Sequence, residues 1–292
     1  MNLQEDSAED IEAGAPPFLE SNEKAMEMWE DVLEEDEAAM LLASPDNPAS
    51  ISPARNARVS LGKSEERNVD RILRAAESDK LKLGINTPGG QVNTAYKISK
   101  NLMDRFDEID VYVMEEAKSG GTTISFVGDN IYMGPMSELG PIEPQVPTDE
   151  GMVSATTYRN AFENTKEELS GIHPVDSSVA SQALADQLDI VQYQNMLESI
   201  ERMEDNARQI LGRHESINDN KAEEIIDDFS DQPTHQYEIL YDRASEILPD
   251  EMIHRSGEKP DEMSAFQRWF EAYSGAESAS HHTVLYDPNL AD

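Results

Sequence analysis

The sequence predicts an α/β protein with a mostly parallel sheet and additional long C-terminal helices, and three observations support this. From Arg58 to about Gly134, short apolar runs alternate with segments of helical period. Two glycine turns, "TPGG" at 87–90 and "KSGG" at 118–121, each stand where a strand candidate hands over to a helix candidate. Beyond the Pro-rich "GPMSELGPIEPQVP" the apolar spacing turns helical. Such alternation argues for parallel strands joined by crossover helices.

Taken in order, the first fifty residues hold 15 acidic side chains against Lys24 as the single base, and "SPDNPASISP" closes them as a linker. Within them "NEKAMEMWEDVLEEDEAAMLLA" predicts an acidic helix with Met26, Trp29, Val32 and Leu33 on one side. "ARVSLG" is a short strand candidate, and Ser64 caps a helix that turns Val69, Ile72, Leu73 and Ala76 inward. "KLKLGIN" is the next strand, and Val92, Ala95, Ile98, Leu102 and Phe106 then recur at helical spacing. "DVYVME" reads as a buried strand, "AKSGGTTISFVG" as a turn opening a short apolar helix, and "NIYMG" as a further strand. Helices are expected over about 154–169 and 178–211, then shorter ones in "KAEEIIDDF", "QYEILYDRASEIL" and "EMSAFQRWFEAY". The closing "SGAESASHHTVLYDPNLAD" reads as a loose tail. The expected division is an acidic extension over 1–55, an α/β domain over 56–250, and a helix with tail over 251–292.

Sixty acidic residues against 23 basic ones give a formal net charge of -37, and the excess runs along the whole chain. Such a surface repels nucleic acid and anionic lipid, so neither is an expected partner. Dense carboxylates suit a high-salt, halophilic cytoplasm, where salt screens their repulsion. The chain has no cysteine, which excludes disulfides and thiolate chemistry. No apolar run reaches the length of a membrane span, so a cytoplasmic protein without a membrane segment is expected.

In a parallel sheet, the two glycine turns fall on the edge where α/β folds place their ligand sites. Ser119 lies in the second turn, at a helix start whose N–H groups are unpaired, which suits a nucleophile whose reaction develops an oxyanion. A capping serine in a packing turn is the plainer alternative. His173 and His214 read as surface or helix-end residues, and His254, His281 and His282 lie near the C-terminus. No His or carboxylate grouping has zinc-site spacing, so neither metal nor cofactor is expected.

"INTPGGQVNTAYKISKNL" followed by "VYVMEEAKSGGTTISFVGDNIYMGPMSELGPIEPQ" resembles the Clp protease and crotonase superfamily. It is most similar there to the serine dehydrogenase proteinase family, a relative of the signal peptide peptidase A group. The similarity is strong over about 58–146 and weaker to about 250. It implies a Clp/crotonase-like fold of repeated ββα units and a serine endopeptidase acting on peptide or protein substrates. It implies Ser119 as nucleophile, oxyanion-hole N–H groups at Gly89 and Gly120, substrate contact at Gly90, and assembly into a homo-oligomer. His235, in "DQPTHQYEILYDRASEIL", is the leading base, with Glu143 standing where the family carries an Asp in its "GPIDPQ" loop. Lys166 is the alternative base of a Ser/Lys dyad. An inactive scaffold that keeps the fold without its base is the remaining alternative; acyl-CoA chemistry is disfavoured by the few cations.

Overall fold

A computed structural model of the chain describes residues 27–44, 60–148, 151–170, 190–232, 234–274 and 282–289. It begins with β1 (Glu37–Ala43), α1 (Lys63–Leu73), β2 (Lys80–Thr87), α2 (Val92–Arg105), β3 (Glu108–Ala117), α3 (Gly120–Ser125) and β4 (Asn130–Met133). The short β5 (Glu138–Leu139) precedes a hairpin of β6 (Gln145–Thr148) and β7 (Gly151–Ser154), then α4 (Ala155–Ser170) and α5 (Ile190–Leu211). The rest is α6 (Asp219–Ser230), β8 (Ile239–Leu240), α7 (Tyr241–Ile247), β9 (Ile253–Arg255), α8 (Pro260–Ser274) and β10 (His282–Tyr286).

The main sheet runs β10-β1-β2-β3-β4-β9. Strands β1, β2, β3, β4 and β9 are parallel, and β10 lies antiparallel on β1. Alternate residues of each strand face opposite layers. Met40, Leu42, Leu83, Ile85, Val111 and Val113 join the large core beneath α1, α2, α3, α5 and α6. Leu41, Tyr112 and Tyr132 join a second core under α8 with Trp29, Phe266 and Trp269. Gly84 permits that second layer to approach, since a methyl group there would lie 2.3 Å from the Phe266 ring. Burial on both faces explains why these strands read as apolar runs rather than alternating ones.

Several sequence expectations are corrected. "EAAMLLA" is not the end of an acidic helix but the strand β1, paired along its length with β2. Trp29 sits on a single helical turn over 27–29, edge-on to Phe266 with centroids 4.6 Å apart. The tail is not loose where β10 pairs with β1, and Asp287 just beyond it anchors the chain at the start of β2. The sheet thus draws strands from both the acidic extension and the C-terminal segment. In "ARVSLG" the described residues form only a bridge between Leu61 and Gly90, and α1 starts from Gly62, not from a Ser64 cap. Glu65 supplies the capping acceptor instead, taking the Gly62 N–H at 2.8 Å. The long helix is described from Ile190, and the expected stretch over 178–189 lies outside the described residues.

Candidate active site

Strands β2 and β3 end side by side, with Thr87 registered on Ala117, so their following turns meet. Lys118 N–H donates to Thr87 O at 3.0 Å and locks the two turns together. Gly89 has φ 92, and a Cβ there would lie 2.4 Å from Lys118 O, so only glycine fits. Ser119 is the non-glycine residue with positive φ among those described, at φ 52 and ψ -113. That conformation is strained by about 1–3 kcal/mol and persists because the surrounding bonds enforce it. Gly121 N–H closes back onto Lys118 O at 2.7 Å, and Thr123 N–H donates to Ser119 O at 3.0 Å to begin α3. Thr122 Oγ1 lies within hydrogen-bond distance of Ala117 O (2.6 Å) and Gly140 O (2.8 Å), tying the serine turn to the next loop.

The glycine N–H groups of the two turns differ in whether they are engaged, and Gly89, expected as a donor to an oxyanion, is one that is. Its N–H already donates to Thr87 Oγ1 at 3.1 Å. The N–H groups of Gly90 and Gly120 have no acceptor among the described residues, and a methyl group on Gly120 would lie 3.4 Å from Gly90 N. Two unused donors therefore stand together beside Ser119, one from each turn.

A chain of short pairings brings His235 to the same place. β5 pairs parallel with the end of β3, Glu116 opposite Glu138, and β8 lies antiparallel on β5 with Leu139 opposite Ile239. The loop before β8 carries His235. Lys118 Nζ pairs with Glu138 at 2.8 Å and reaches Gln236 O at 3.4 Å, so the lysine beside the serine holds the histidine loop. Glu138 is thus a paired carboxylate rather than a freely solvated one. Ser119, Gly89, Gly90, Pro144, Arg202 and His235 all line one open cavity of about 570 Å³.

Behind His235 lies Glu143, 3% exposed, with Oε1 3.7 Å from His235 Nδ1. The separation is that of an ion pair rather than a hydrogen bond, and Nδ1 is buried without another partner. The other carboxylate oxygen, Oε2, accepts the Ser154 hydroxyl. Ser154 directly precedes α4 and its Oγ accepts the Thr157 N–H at 3.1 Å, so one helix cap also orients the carboxylate. Sequence reading did not single out Ser154, although "SATT" at a helix start is a cap signal. It also passed over Ser199 and Arg202, which α5 presents to the cavity.

Lys166 is elsewhere. Its side chain is 66% exposed on α4 and pairs with Glu163 at 3.0 Å. The Glu163 hydrogen bond raises its pKa, the opposite of what a neutral-pH base requires. His214 is a half-buried helix-end residue just past α5: its N–H donates to Leu211 O at 3.1 Å, its Nε2 lies 2.8 Å from Phe126 O, and burial lowers its pKa. His254 lies against Tyr132 and 3.0 Å from Asn130 Oδ1, away from the cavity. His173 and His281 lie outside the described residues. Among the described residues no cluster of His, Asp and Glu could hold a metal ion, and no helix is long and apolar enough to cross a membrane.

Residues 59–252 match the family described as ClpP-like SDH-type serine proteinase. Of curated relatives, the uncharacterised protein MJ0137 of Methanocaldococcus jannaschii is 44% identical over 77 residues, 26% of this chain and 27% of its own length. MJ1495 of the same organism is 25% identical over 183 residues, 61% of this chain and 55% of its own. Membrane protein NfeD1b of Bacillus subtilis is 35% identical over 65 residues, 22% of this chain and 15% of that protein. This chain therefore spans less than two thirds of each of these relatives. Among solved structures, two alanine variants of the 1510-N membrane-bound stomatin-specific protease align over 35% of this chain and 54% and 51% of theirs. One of them is in complex with a substrate peptide; identities are 20% and 22%, each with a TM-score of 0.31.

Proposed function

Because the chain belongs to the ClpP-like SDH-type serine proteinases, we propose that it hydrolyses peptide bonds with Ser119 as nucleophile, His235 as general base and Glu143 as the carboxylate that orients it. The observation that carries this reading is the convergence on one cavity of a strained serine and a histidine backed by a buried carboxylate.

In this mechanism Ser119 Oγ attacks the scissile carbonyl while His235 takes its proton. The Gly90 and Gly120 N–H groups receive the developing oxyanion. Both are fixed by the locked turns, so neither reorganises as charge appears. As the imidazole becomes positive, Glu143 closes its gap to Nδ1 and stabilises it, with Ser154 holding the far oxygen. The imidazolium returns the proton to the leaving amine, and water then repeats the sequence on the acyl-enzyme. An exposed Lys166 paired with Glu163 gives a Ser/Lys dyad no support.

The test is labelling with a fluorophosphonate probe at molar salt, where repulsion within a chain of this charge is screened. Wild type is expected to label on Ser119 and to cleave unstructured peptides. Ser119→Ala should lose labelling completely and at least about 10⁴-fold in hydrolysis. Labelling of another residue, or full hydrolysis by the variant, would sink the reading.

A further inference from the structure

Resting on the peptidase reading, we infer that Arg202 forms a carboxylate-binding subsite of the cleft, so that the substrates this protein selects carry an acidic side chain or a free C-terminus beside the scissile bond. The lining of the cavity is the reason. The chain holds 60 Asp and Glu, yet among the described residues no Asp or Glu lines this cavity, and apart from His235 Arg202 is the one ionisable residue of those described that does. Gln91, Asn93, Gln145 and Ser199 supply neutral hydrogen-bonding groups around it.

Arg202 differs in its pairing from Arg208, its neighbour along α5. On the same helix Arg208 is held by Asp205 at 2.7 Å and lies 3.8 Å from Glu223. Arg202 has no carboxylate partner among the described residues, and Glu198, one turn back, accepts from Gln194 instead. The helix that carries it is firmly placed. Met203, Ala207 and Ile210 are buried in the core, and Tyr96 on α2 donates to Gln209 at 2.7 Å. Ser199 lies one turn before Arg202 on the same face. A guanidinium on a packed helix, without an ion-pair partner among the described residues and lining the same cavity as Ser119, is suited to the planar two-oxygen geometry of a carboxylate.

The experiment uses fluorogenic peptides matched except for Glu, Gln or Lys at each position flanking the cleaved bond, each made with a free and an amidated C-terminus. At 1 M salt the screening length is about 3 Å, so diffuse repulsion is removed and direct contact remains. Wild type should favour one Glu position over Gln, or the free C-terminus over the amide, by about five- to tenfold in kcat/KM. Which of the two arms responds identifies the source of the carboxylate. Arg202→Gln should level the preference, and Arg202→Glu should turn it toward Lys, with fluorophosphonate labelling of Ser119 unchanged in both. Equal rates for all peptides in wild type, or a preference untouched by Arg202→Glu, would overturn the subsite while leaving the peptidase intact. Should wild type neither cleave nor label, fluorescence anisotropy of the same peptides on the full-length protein still reads the subsite. Tighter binding of the acidic or free-C-terminal peptide, abolished by Arg202→Glu, supports it, and equal binding refutes it.

Discussion

Two buried carboxylates, Asp287 and Glu143, are handled in opposite ways. Asp287 is saturated: it accepts Glu77 N–H at 2.7 Å, Ser78 N–H at 2.8 Å, the Ser78 hydroxyl at 2.7 Å and Asn289 N–H at 2.9 Å. Burial acts to raise its pKa, but these donors outweigh burial and hold it below the usual aspartate value. Glu143 is half used. One oxygen takes the Ser154 hydroxyl, and the other faces His235 across 3.7 Å without a hydrogen bond. A carboxylate with every lone pair engaged holds the fold; one with an oxygen in reserve beside a titratable ring can respond to a charge that appears during reaction.

This contrast can be broken from either side. The largest effect is expected at the reserve oxygen. Glu143→Gln keeps the shape but removes the charge, so kcat should fall about 10²–10⁴-fold while the melting temperature moves little. Steady-state kinetics beside a thermal melt read both, and retained kcat would mean that Glu143 is structural like Asp287.

Asp287→Ala should do the reverse. It orphans backbone donors at the α1–β2 turn and should cost about 2–4 kcal/mol of stability, with specific activity per folded molecule preserved. Its pH signature follows from the depressed pKa: the native state binds fewer protons than the unfolded one, so the contribution is present above about 3.8 and is lost as pH falls through the lower folded value. Denaturant titrations at pH 3 to 6 should show a steep acid limb in wild type and a flatter one in Asp287→Asn. The smallest expected effect is that of Lys166→Ala, under about twofold in kcat and under about 0.5 kcal/mol in stability, because an exposed (i, i+3) pair contributes little. A large loss of activity there would return the lysine to the mechanism.

How much of this was legible in the sequence varied by segment. The strand–turn–helix alternation from β2 to β4 was, because period and turn chemistry are local properties. β1 was not. "AAMLLA" follows an acidic stretch with helical spacing, and a short fully apolar run fits a helix as well as a doubly buried strand. Only pairing with β2 on one side and β10 on the other decides between them. β10 was hidden for a related reason, since "HTVLY" is too short to declare itself without an edge to join.

By itself, the sequence determined the α/β class, the crossover helices and both glycine turns. Backbone sterics and side-chain periodicity act within a few residues, and glycine is required wherever φ is positive and a Cβ would collide. The tertiary structure alone decided what shares the cavity with Ser119. His235 lies 116 positions away and arrives through the β3–β5–β8 pairings, while Lys166, much nearer in sequence, is carried off on the exposed side of α4. The same level decided which glycine N–H groups are left without an acceptor among the described residues. A hydrogen bond from Gly89 to Thr87 depends on how the folded turn closes, and no spacing of residue types encodes it.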